Sequence, residues 1–232
     1  IFAAATRYLK ELGHPSVKHR IARSARTASG KILATLFYEP STRTRLSFES
    51  AALRLGGDTI SSADPATSSA AKGESLAYTV RVVSNYADVL VIRHPRDGAA
   101  KLAAEFAGIP VINAGDGAHE HPTQTLCDLF TLKQEKKSLK NLNVVISGDL
   151  KGSRTIHSFV YALARFQANI MLMPGGMGME LPEHVDWRLR NEFHSHPIPK
   201  NDQVAKKKSD IDVVYKTSDQ PHQLALIPVK DE

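Results

Sequence analysis

The chain has 232 residues, 42% of them hydrophobic, so it can bury the core of one large domain or of two small ones. Its 30 Lys and Arg against 24 Asp and Glu give a net charge of +6, which suits an anionic partner, but the basic residues are scattered and predict no nucleic-acid partner. No apolar stretch approaches the ~18 residues that cross a bilayer, and the single Cys127 excludes an internal disulfide, so we predict no membrane partner and a reducing, cytoplasmic setting.

The first half alternates apolar runs with helical patterns. An amphipathic helix is predicted over 2–12, and Ile1 in place of Met suggests that an N-terminal piece is missing. Short β-branched runs predict buried strands at 31–37, 88–94 and 109–115. Helical spacing predicts helices at 43–55, 74–86 and 98–107. Strands that alternate with helices predict an α/β fold, in which helices cover both faces of a parallel sheet.

The second half repeats this alternation after a polar stretch near residue 136. A helix is predicted over 123–135 before that stretch. The elements predicted after it are strands at 143–148, 169–175 and 210–216, and helices at 154–166 and 183–193. We therefore predict two α/β lobes, 1–136 and 137–232, each a parallel sheet flanked by helices.

A polar turn follows the first predicted strand. It reads Tyr-Glu-Pro-Ser-Thr-Arg-Thr-Arg over 38–45 and leads directly into a helix. Hydroxyl and backbone N–H groups at a helix N-terminus suit a phosphate, and the guanidinium of Arg43 can bind two phosphate oxygens. Alternatively, Ser41 or Thr42 is a simple N-cap and both arginines are solvated. Five consecutive polar residues favour the phosphate site.

The stretch 37–49, FYEPSTRTRLSFE, resembles the carbamoyl-phosphate signature of the transcarbamoylases. Further motifs follow in the order and at the spacing of that family, at 72–74, 93–95, 113–117, 121–124 and 148–158. Glu39-Pro40 before the serine and Pro-Thr-Gln after His121 are similar to the aspartate branch, whereas the ornithine branch has lysine and cysteine at these places. The resemblance implies a carbamoyl-phosphate-binding domain at 1–136 and an aspartate-binding domain at 137–232.

The same resemblance implies roles for individual residues. The phosphate would be held by Ser41, Thr42, Arg43 and Thr44. The carbamoyl group would be contacted by Arg93, His121 and Gln124. The residues predicted to act in catalysis are Arg43, Thr44, Arg93, His121 and Lys72. Attack by an amine builds negative charge on the carbamoyl oxygen, so donors suffice, and neither a metal nor another cofactor is predicted.

Two of these assignments have plain structural alternatives. His121 could be a structural histidine ahead of a helix; by the resemblance it donates a hydrogen bond as a neutral imidazole. Ser68 and Lys72 lie in a Ser/Ala-rich stretch whose composition is typical of a mobile surface loop. In the family this loop enters the neighbouring subunit's site, which implies a homotrimer with shared active sites. Glu39 is either a charge partner there or a solvated carboxylate, and we leave it out of the predicted site.

The second lobe matches the family less completely. Arg154 and Gln220 match residues that bind aspartate, but Ser218 stands where the family has an arginine. The family's C-terminal helices are not found, so this domain is predicted to be incomplete or diverged.

We predict transfer of the carbamoyl group from carbamoyl phosphate to L-aspartate, giving N-carbamoyl-L-aspartate for pyrimidine biosynthesis. One alternative is a weak or inactive relative that binds carbamoyl phosphate or assembles with an intact trimer. Another is a transcarbamoylase with a different amine acceptor. The prediction leaves room for a regulatory chain.

Overall fold

The structure, a computed structural model, describes residues 1–12, 27–64, 68–199, 210–217 and 224–227. The chain forms two compact units: unit 1 is Ile1–Gly117 and unit 2 is Ala118–Glu232. Each unit contains its own β-sheet. The units divide between Gly117 and Ala118. The assignment of 1–136 and 137–232 to two different substrates stays a prediction.

Unit 1 has a four-stranded parallel sheet. Its elements are α1 (Phe2–Leu12), β1 (Ile32–Phe37), α2 (Thr42–Arg54), β2 (Asp58–Ser62), a 3-10 turn (Ser69–Lys72), α3 (Leu76–Val83), β3 (Val89–His94), α4 (Ala99–Phe106) and β4 (Val111–Asp116). The strand order is β2-β1-β3-β4, and all neighbours are parallel. The parallel α/β arrangement predicted for this half is confirmed.

The two faces of the unit 1 sheet are both buried. Leu90 and Ile92 of β3 point to one face, where they pack with Val80 of α3. Val91, between them, points to the other face and packs with Phe37. Because successive side chains of a strand alternate in direction, an uninterrupted apolar run such as β3 fits only a sheet that is covered on both sides.

A bulge interrupts the pairing of β3 with β4. Ile92 lies opposite Asn113, but His94 lies opposite Asp116, so β4 uses one more residue than β3 over this stretch. Asp116 is 1% exposed. Its Oδ2 accepts the N–H of Gly98, the residue before α4, at 2.9 Å, and its Oδ1 accepts from Asn113 Nδ2 at 2.8 Å. The bulge therefore places a buried carboxylate where it caps the start of α4.

Unit 2 has a five-stranded sheet with one antiparallel strand. Its elements are α5 (Pro122–Lys136), β5 (Asn143–Gly148), α6 (Arg154–Arg165), β6 (Asn169–Pro174), α7 (Glu183–Asn191), β7 (Ile198–Pro199), β8 (Val213–Thr217) and β9 (Leu224–Ile227). The strand order is β7-β6-β5-β8-β9. The predicted parallel sheet is confirmed from β7 to β8, while β9, which was not predicted, runs antiparallel to β8.

The core of unit 2 is centred on α6. Ile156, Phe159 and Val160 are all fully buried on this helix. Phe159 stacks on Tyr215 of β8, with ring centroids 4.4 Å apart.

At the end of β5 only glycine fits, since a Cβ on Gly148 would lie 2.2 Å from Thr217 Oγ1, and Gly148 has a left-handed φ of +117°. Within the described ranges, no helix has the length and apolarity to cross a membrane.

Candidate active site

The polar turn after β1 forms the first turn of α2, as predicted. Ser41 is the N-cap residue in extended conformation, and its side chain makes no capping hydrogen bond. Thr42 and Arg43 are exposed, and Thr44 is half-buried. No residue in the described part of the chain forms an ion pair with Arg43. The turn thus combines hydroxyls, unpaired backbone N–H groups and an available guanidinium, which is the chemistry that an anion such as phosphate requires.

The two arginines of this turn have different environments. Arg45 Nε lies 3.7 Å from Glu49 Oε1, one helical turn further along α2. The same carboxylate oxygen accepts a hydrogen bond from Thr35 Oγ1 of β1 at 3.0 Å. Arg45 therefore takes part in the contact between α2 and β1, which leaves Arg43 as the arginine for a ligand. The family resemblance had already named Arg43 and not Arg45 for the phosphate, and that assignment stays a prediction.

Arg93, near the end of β3, is paired with Glu39. Its side chain is buried, and Nη2 lies 2.5 Å from Glu39 Oε1. Glu39, which the sequence analysis left out of the site, is therefore a charge partner and not a solvated carboxylate. The pairing could have been found from the sheet register, because β1 and β3 are parallel neighbours with Phe37 opposite Arg93. Residues that directly follow Phe37 must then lie beside Arg93.

His94 follows Arg93 and has a fixed ring. It packs edge-on against Tyr38 with centroids 5.5 Å apart, and its Nδ1 accepts the backbone N–H of Arg96 at 3.0 Å. Burial and, secondarily, the nearby Arg96 charge lower the pKa of His94 below its ordinary value. The ring is therefore neutral at pH 7, which allows Nδ1 to act as an acceptor.

The Ser/Ala-rich stretch contains a defined turn. Ser68 caps a 3-10 turn by accepting the N–H of Ala70 at 3.2 Å, and Gly73, with a left-handed φ of 88°, ends it. Lys72 is exposed at the last position of the turn. A stretch whose composition is typical of a mobile loop thus has local structure, while the assignment of Ser68 and Lys72 to a shared active site stays a prediction.

In unit 2, His121 is held at the start of α5. Its side chain is buried, and its backbone N–H donates to Ser158 Oγ of α6 at 2.8 Å. His121 is the N-cap residue, Pro122 occupies the first helical position, and the imidazole makes no capping bond. The backbone of His121 is thereby fixed, while its imidazole is not used to satisfy the helix end.

Gln124 belongs to a buried network that the sequence analysis missed. Gln124 Nε2 donates to Asp128 Oδ1 at 3.0 Å, one turn along α5, and Tyr215 Oη donates to Asp128 Oδ2 at 3.1 Å. Asp128 is 5% exposed. Burial raises the pKa of Asp128, and the hydrogen bonds from Gln124 and Tyr215 oppose that shift. The i,i+4 spacing of Gln124 and Asp128 was the available signal.

This raised pKa predicts a pH-dependent stability. A carboxyl whose pKa is higher in the folded than in the unfolded chain stabilises the fold fully below the unfolded pKa, about 4, and that contribution is lost as pH rises through the folded pKa. As pH rises from about 4 to 7, the free energy of unfolding should therefore fall less in Asp128→Asn than in the parent. Urea unfolding at several pH values measures this, with exposed Glu180→Gln as control. Parallel curves for the parent and Asp128→Asn would contradict the prediction.

Arg154 is the first residue of α6 and follows a tight turn. Asp149 Oδ1 accepts the N–H groups of Lys151 and Gly152 at 3.0 and 2.9 Å, which closes the turn. Ser153, the N-cap residue, has its hydroxyl 2.9 Å from that of Thr155. The turn thus fixes the position of Arg154 relative to the end of β5. The contact between Arg154 and aspartate stays a prediction.

His157 connects two loops of the candidate site. It is 2% exposed, with Nε2 2.9 Å from the Leu150 carbonyl oxygen and Nδ1 3.2 Å from that of His119. Carbonyl oxygens only accept, so the imidazole ring is the donor in each of these contacts. His157 therefore joins the loop that precedes His121 to the loop that precedes Arg154, a role the sequence analysis did not foresee.

Some predicted features cannot be placed. Gln220 and the departure from the family at Ser218 lie outside the described residues. In the ranges that the structure covers, no three His, Cys, Asp or Glu side chains are grouped so that they could hold a metal ion.

Comparisons with known proteins agree with the motifs. The family described as "Aspartate/ornithine carbamoyltransferase, carbamoyl-P binding domain" matches residues 6–135. The aspartate carbamoyltransferase catalytic subunit of Clostridium kluyveri is 49% identical over 188 residues, 81% of this chain and 61% of that protein. The corresponding subunit of Picrophilus torridus is 56% identical over 166 residues, 72% of this chain and 54% of that protein.

Solved structures are similar over most of the fold. The catalytic subunit of M. jannaschii aspartate transcarbamoylase has a TM-score of 0.75 and 44% identity, over 93% of this chain and 68% of that one. The Trypanosoma cruzi enzyme in complex with carbamoyl phosphate and aspartate has a TM-score of 0.74 and 35% identity, over 86% of this chain and 67% of that one. The chain spans about three fifths of the length of the curated relatives it matches, as with the 61% of the C. kluyveri subunit.

Proposed function

Because this chain belongs to the aspartate/ornithine carbamoyltransferase family, we propose that it transfers the carbamoyl group of carbamoyl phosphate to the α-amino group of L-aspartate, giving N-carbamoyl-L-aspartate and phosphate. The observation that carries the proposal is the Ser41–Thr44 turn, which offers an available guanidinium at the N-terminus of α2. The T. cruzi relative bound to carbamoyl phosphate and aspartate supports the choice of substrates.

Phosphate recognition is proposed for the first turn of α2. Ser41, Thr42 and Thr44 supply hydroxyl and backbone N–H donors, and the helix dipole favours an anion at this end. Arg43 supplies two parallel charge-assisted bonds. Lys72 and Ser68 are proposed to complete this anion site from a neighbouring subunit, as the family resemblance implies.

The chemical step is proposed to be direct. The aspartate amine attacks the carbamoyl carbon, a C–N bond forms, and the C–O bond to phosphate breaks with its electron pair leaving on phosphate. The amine proton passes to the departing phosphate or to water. Negative charge that develops on the carbamoyl oxygen is stabilised by donors, for which we propose Thr44, Arg93 and His121.

The remaining roles concern the carbamoyl NH2 group and the carboxylates of aspartate. Gln124 is proposed to contact the carbamoyl NH2 group. Arg154 and Gln220 are proposed to bind aspartate carboxylates. No step of this scheme calls for a metal or another cofactor.

The biological setting is also a proposal. We infer a role in pyrimidine biosynthesis, a cytoplasmic location and a homotrimer with shared active sites. The relatives are named catalytic subunits, which supports the existence of further subunits and leaves room for a regulatory chain.

A carbamoyl-transfer assay beside calorimetric titration of carbamoyl phosphate tests the proposal. Turnover with L-aspartate, and none with L-ornithine, would support it and the choice of branch. Binding without turnover would favour the alternative of an inactive relative that retains carbamoyl phosphate. If neither binding nor turnover is detected, the proposed function is wrong.

A further inference from the structure

We propose that Asp128 is a positioning residue that fixes the side-chain amide of Gln124 with its carbonyl oxygen towards the ligand, so that the site selects an acyl phosphate carrying an N–H donor. The inference rests on the proposed function and deepens it. Gln124 would distinguish a carbamoyl group from an acyl group of the same shape, and Asp128, which lies outside the 121–124 motif, would orient it.

The first step is the identity of the amide end that faces Asp128. The two ends of a glutamine amide have nearly the same shape, but one only donates and the other only accepts. In the structure the NH2 end faces Asp128, with Gln124 Nε2 donating to Asp128 Oδ1 at 3.0 Å. Rotating the amide by half a turn would bring the Gln124 carbonyl oxygen against the carboxylate oxygen of an ionised Asp128, and both of these atoms are acceptors. The carbonyl oxygen of Gln124 is therefore the end that remains for a ligand.

The second step is the rigidity of Asp128. Its other oxygen, Oδ2, accepts the hydroxyl of Tyr215 at 3.1 Å. Tyr215 is fully buried in β8 and stacks on Phe159, so this donor cannot move away without disturbing the core. With one neutral donor on each oxygen, the carboxylate plane is fixed, and the orientation of Gln124 follows from it.

The third step is the chemistry of the ligand. Carbamoyl phosphate carries an NH2 group where acetyl phosphate carries a methyl group of similar size. The carbonyl oxygen of Gln124 can accept from the NH2 group but gains nothing from the methyl group, beside which it would lie desolvated and unpaired. A site built to hydrogen-bond one group rejects the analogue that lacks it more strongly than size alone allows. We expect a preference on the order of ten- to a hundredfold.

The test is a titration of the parent chain and of Asp128→Asn with carbamoyl phosphate, acetyl phosphate and inorganic phosphate. An asparagine can present either a donor or an acceptor to Gln124, so the amide is no longer oriented. The ratio of carbamoyl-phosphate to acetyl-phosphate affinity should fall by about tenfold, while the affinity for inorganic phosphate stays the same. Tyr215→Phe, which keeps the ring but loses one bond to Asp128, should lower the ratio less.

The titrations distinguish failure of the proposed function from failure of the role given to Asp128. If the parent binds no carbamoyl phosphate, the proposed function fails and the inference with it. If the parent binds but the ratio is the same in folded Asp128→Asn, or all three affinities fall equally, only the inference is overturned. Should Asp128→Asn not fold, Gln124→Ala removes the proposed acceptor from a half-buried position. An unchanged affinity ratio in Gln124→Ala would also overturn the inference.

Discussion

Carbamoyl-phosphate binding should become undetectable when Arg43 is replaced by alanine. The Arg43 side chain is exposed on the first turn of α2 and pairs with no described residue, so it is free to form two charge-assisted bonds with the phosphate. At about 1.5–3 kcal/mol for each such bond, the loss is roughly 3–6 kcal/mol, or two to four orders of magnitude in Kd. Calorimetric titration of the variant with carbamoyl phosphate measures it.

Two further variants make this experiment specific. Arg54→Ala removes an exposed arginine from the last turn of the same helix and should leave the Kd unchanged. Arg43→Lys keeps the charge but not the planar fork, so its affinity should lie between those of the parent and Arg43→Ala. An unaltered Kd in Arg43→Ala would mean that phosphate binds elsewhere on the chain.

Phe159→Ala is expected to lower the free energy of unfolding of unit 2 by about 3–5 kcal/mol. Phe159 is fully buried on α6 and stacks on Tyr215, so truncation leaves a cavity between α6 and β8. Because a domain is stable by only about 5–15 kcal/mol, this loss is a large fraction of the total. The only tryptophan, Trp187 on α7, lies in unit 2 and reports this transition by fluorescence during urea titration.

The matched control is Met177→Ala, which shortens a large apolar side chain of the same unit that is 100% exposed. It should change the free energy of unfolding by less than about 0.5 kcal/mol. A loss below about 1 kcal/mol in Phe159→Ala would show that this position can be filled by neighbouring side chains, contrary to the packing described above.

The apolar strands could be predicted from the sequence because their residues are buried on both faces. The run 143–148 is β5 without change, and 88–94 differs from β3 by one residue. β2 was missed, since Asp58–Ser62 is polar and mostly exposed at the sheet edge, where β1 is its one neighbour among the described strands. Such a strand forms through its backbone pairing, which leaves no apolar pattern in the sequence.

The candidate site was predictable where its residues form one continuous motif, as in 41–44, and not where they pair across the chain. Glu39 contacts Arg93 from 54 positions away, and Asp128 contacts Tyr215 from 87 positions away. The first pairing depends on sheet register and the second on how α5 packs near β8. Composition and spacing describe local geometry, so these long-range partners required the three-dimensional structure.

The bulge between Ile92 and His94 also affects how sequences of this family should be aligned. Because β4 spends three steps from Asn113 to Asp116 where β3 spends two, deletion of one residue inside 113–116 would give both strands two steps and remove the bulge. An aspartate at the end of the shortened strand would still lie opposite His94, on the side from which Asp116 accepts the N–H of Gly98. A gap of one residue in this part of β4 is therefore compatible with the sheet, and a relative that has one is expected to pair its β3 and β4 without the bulge.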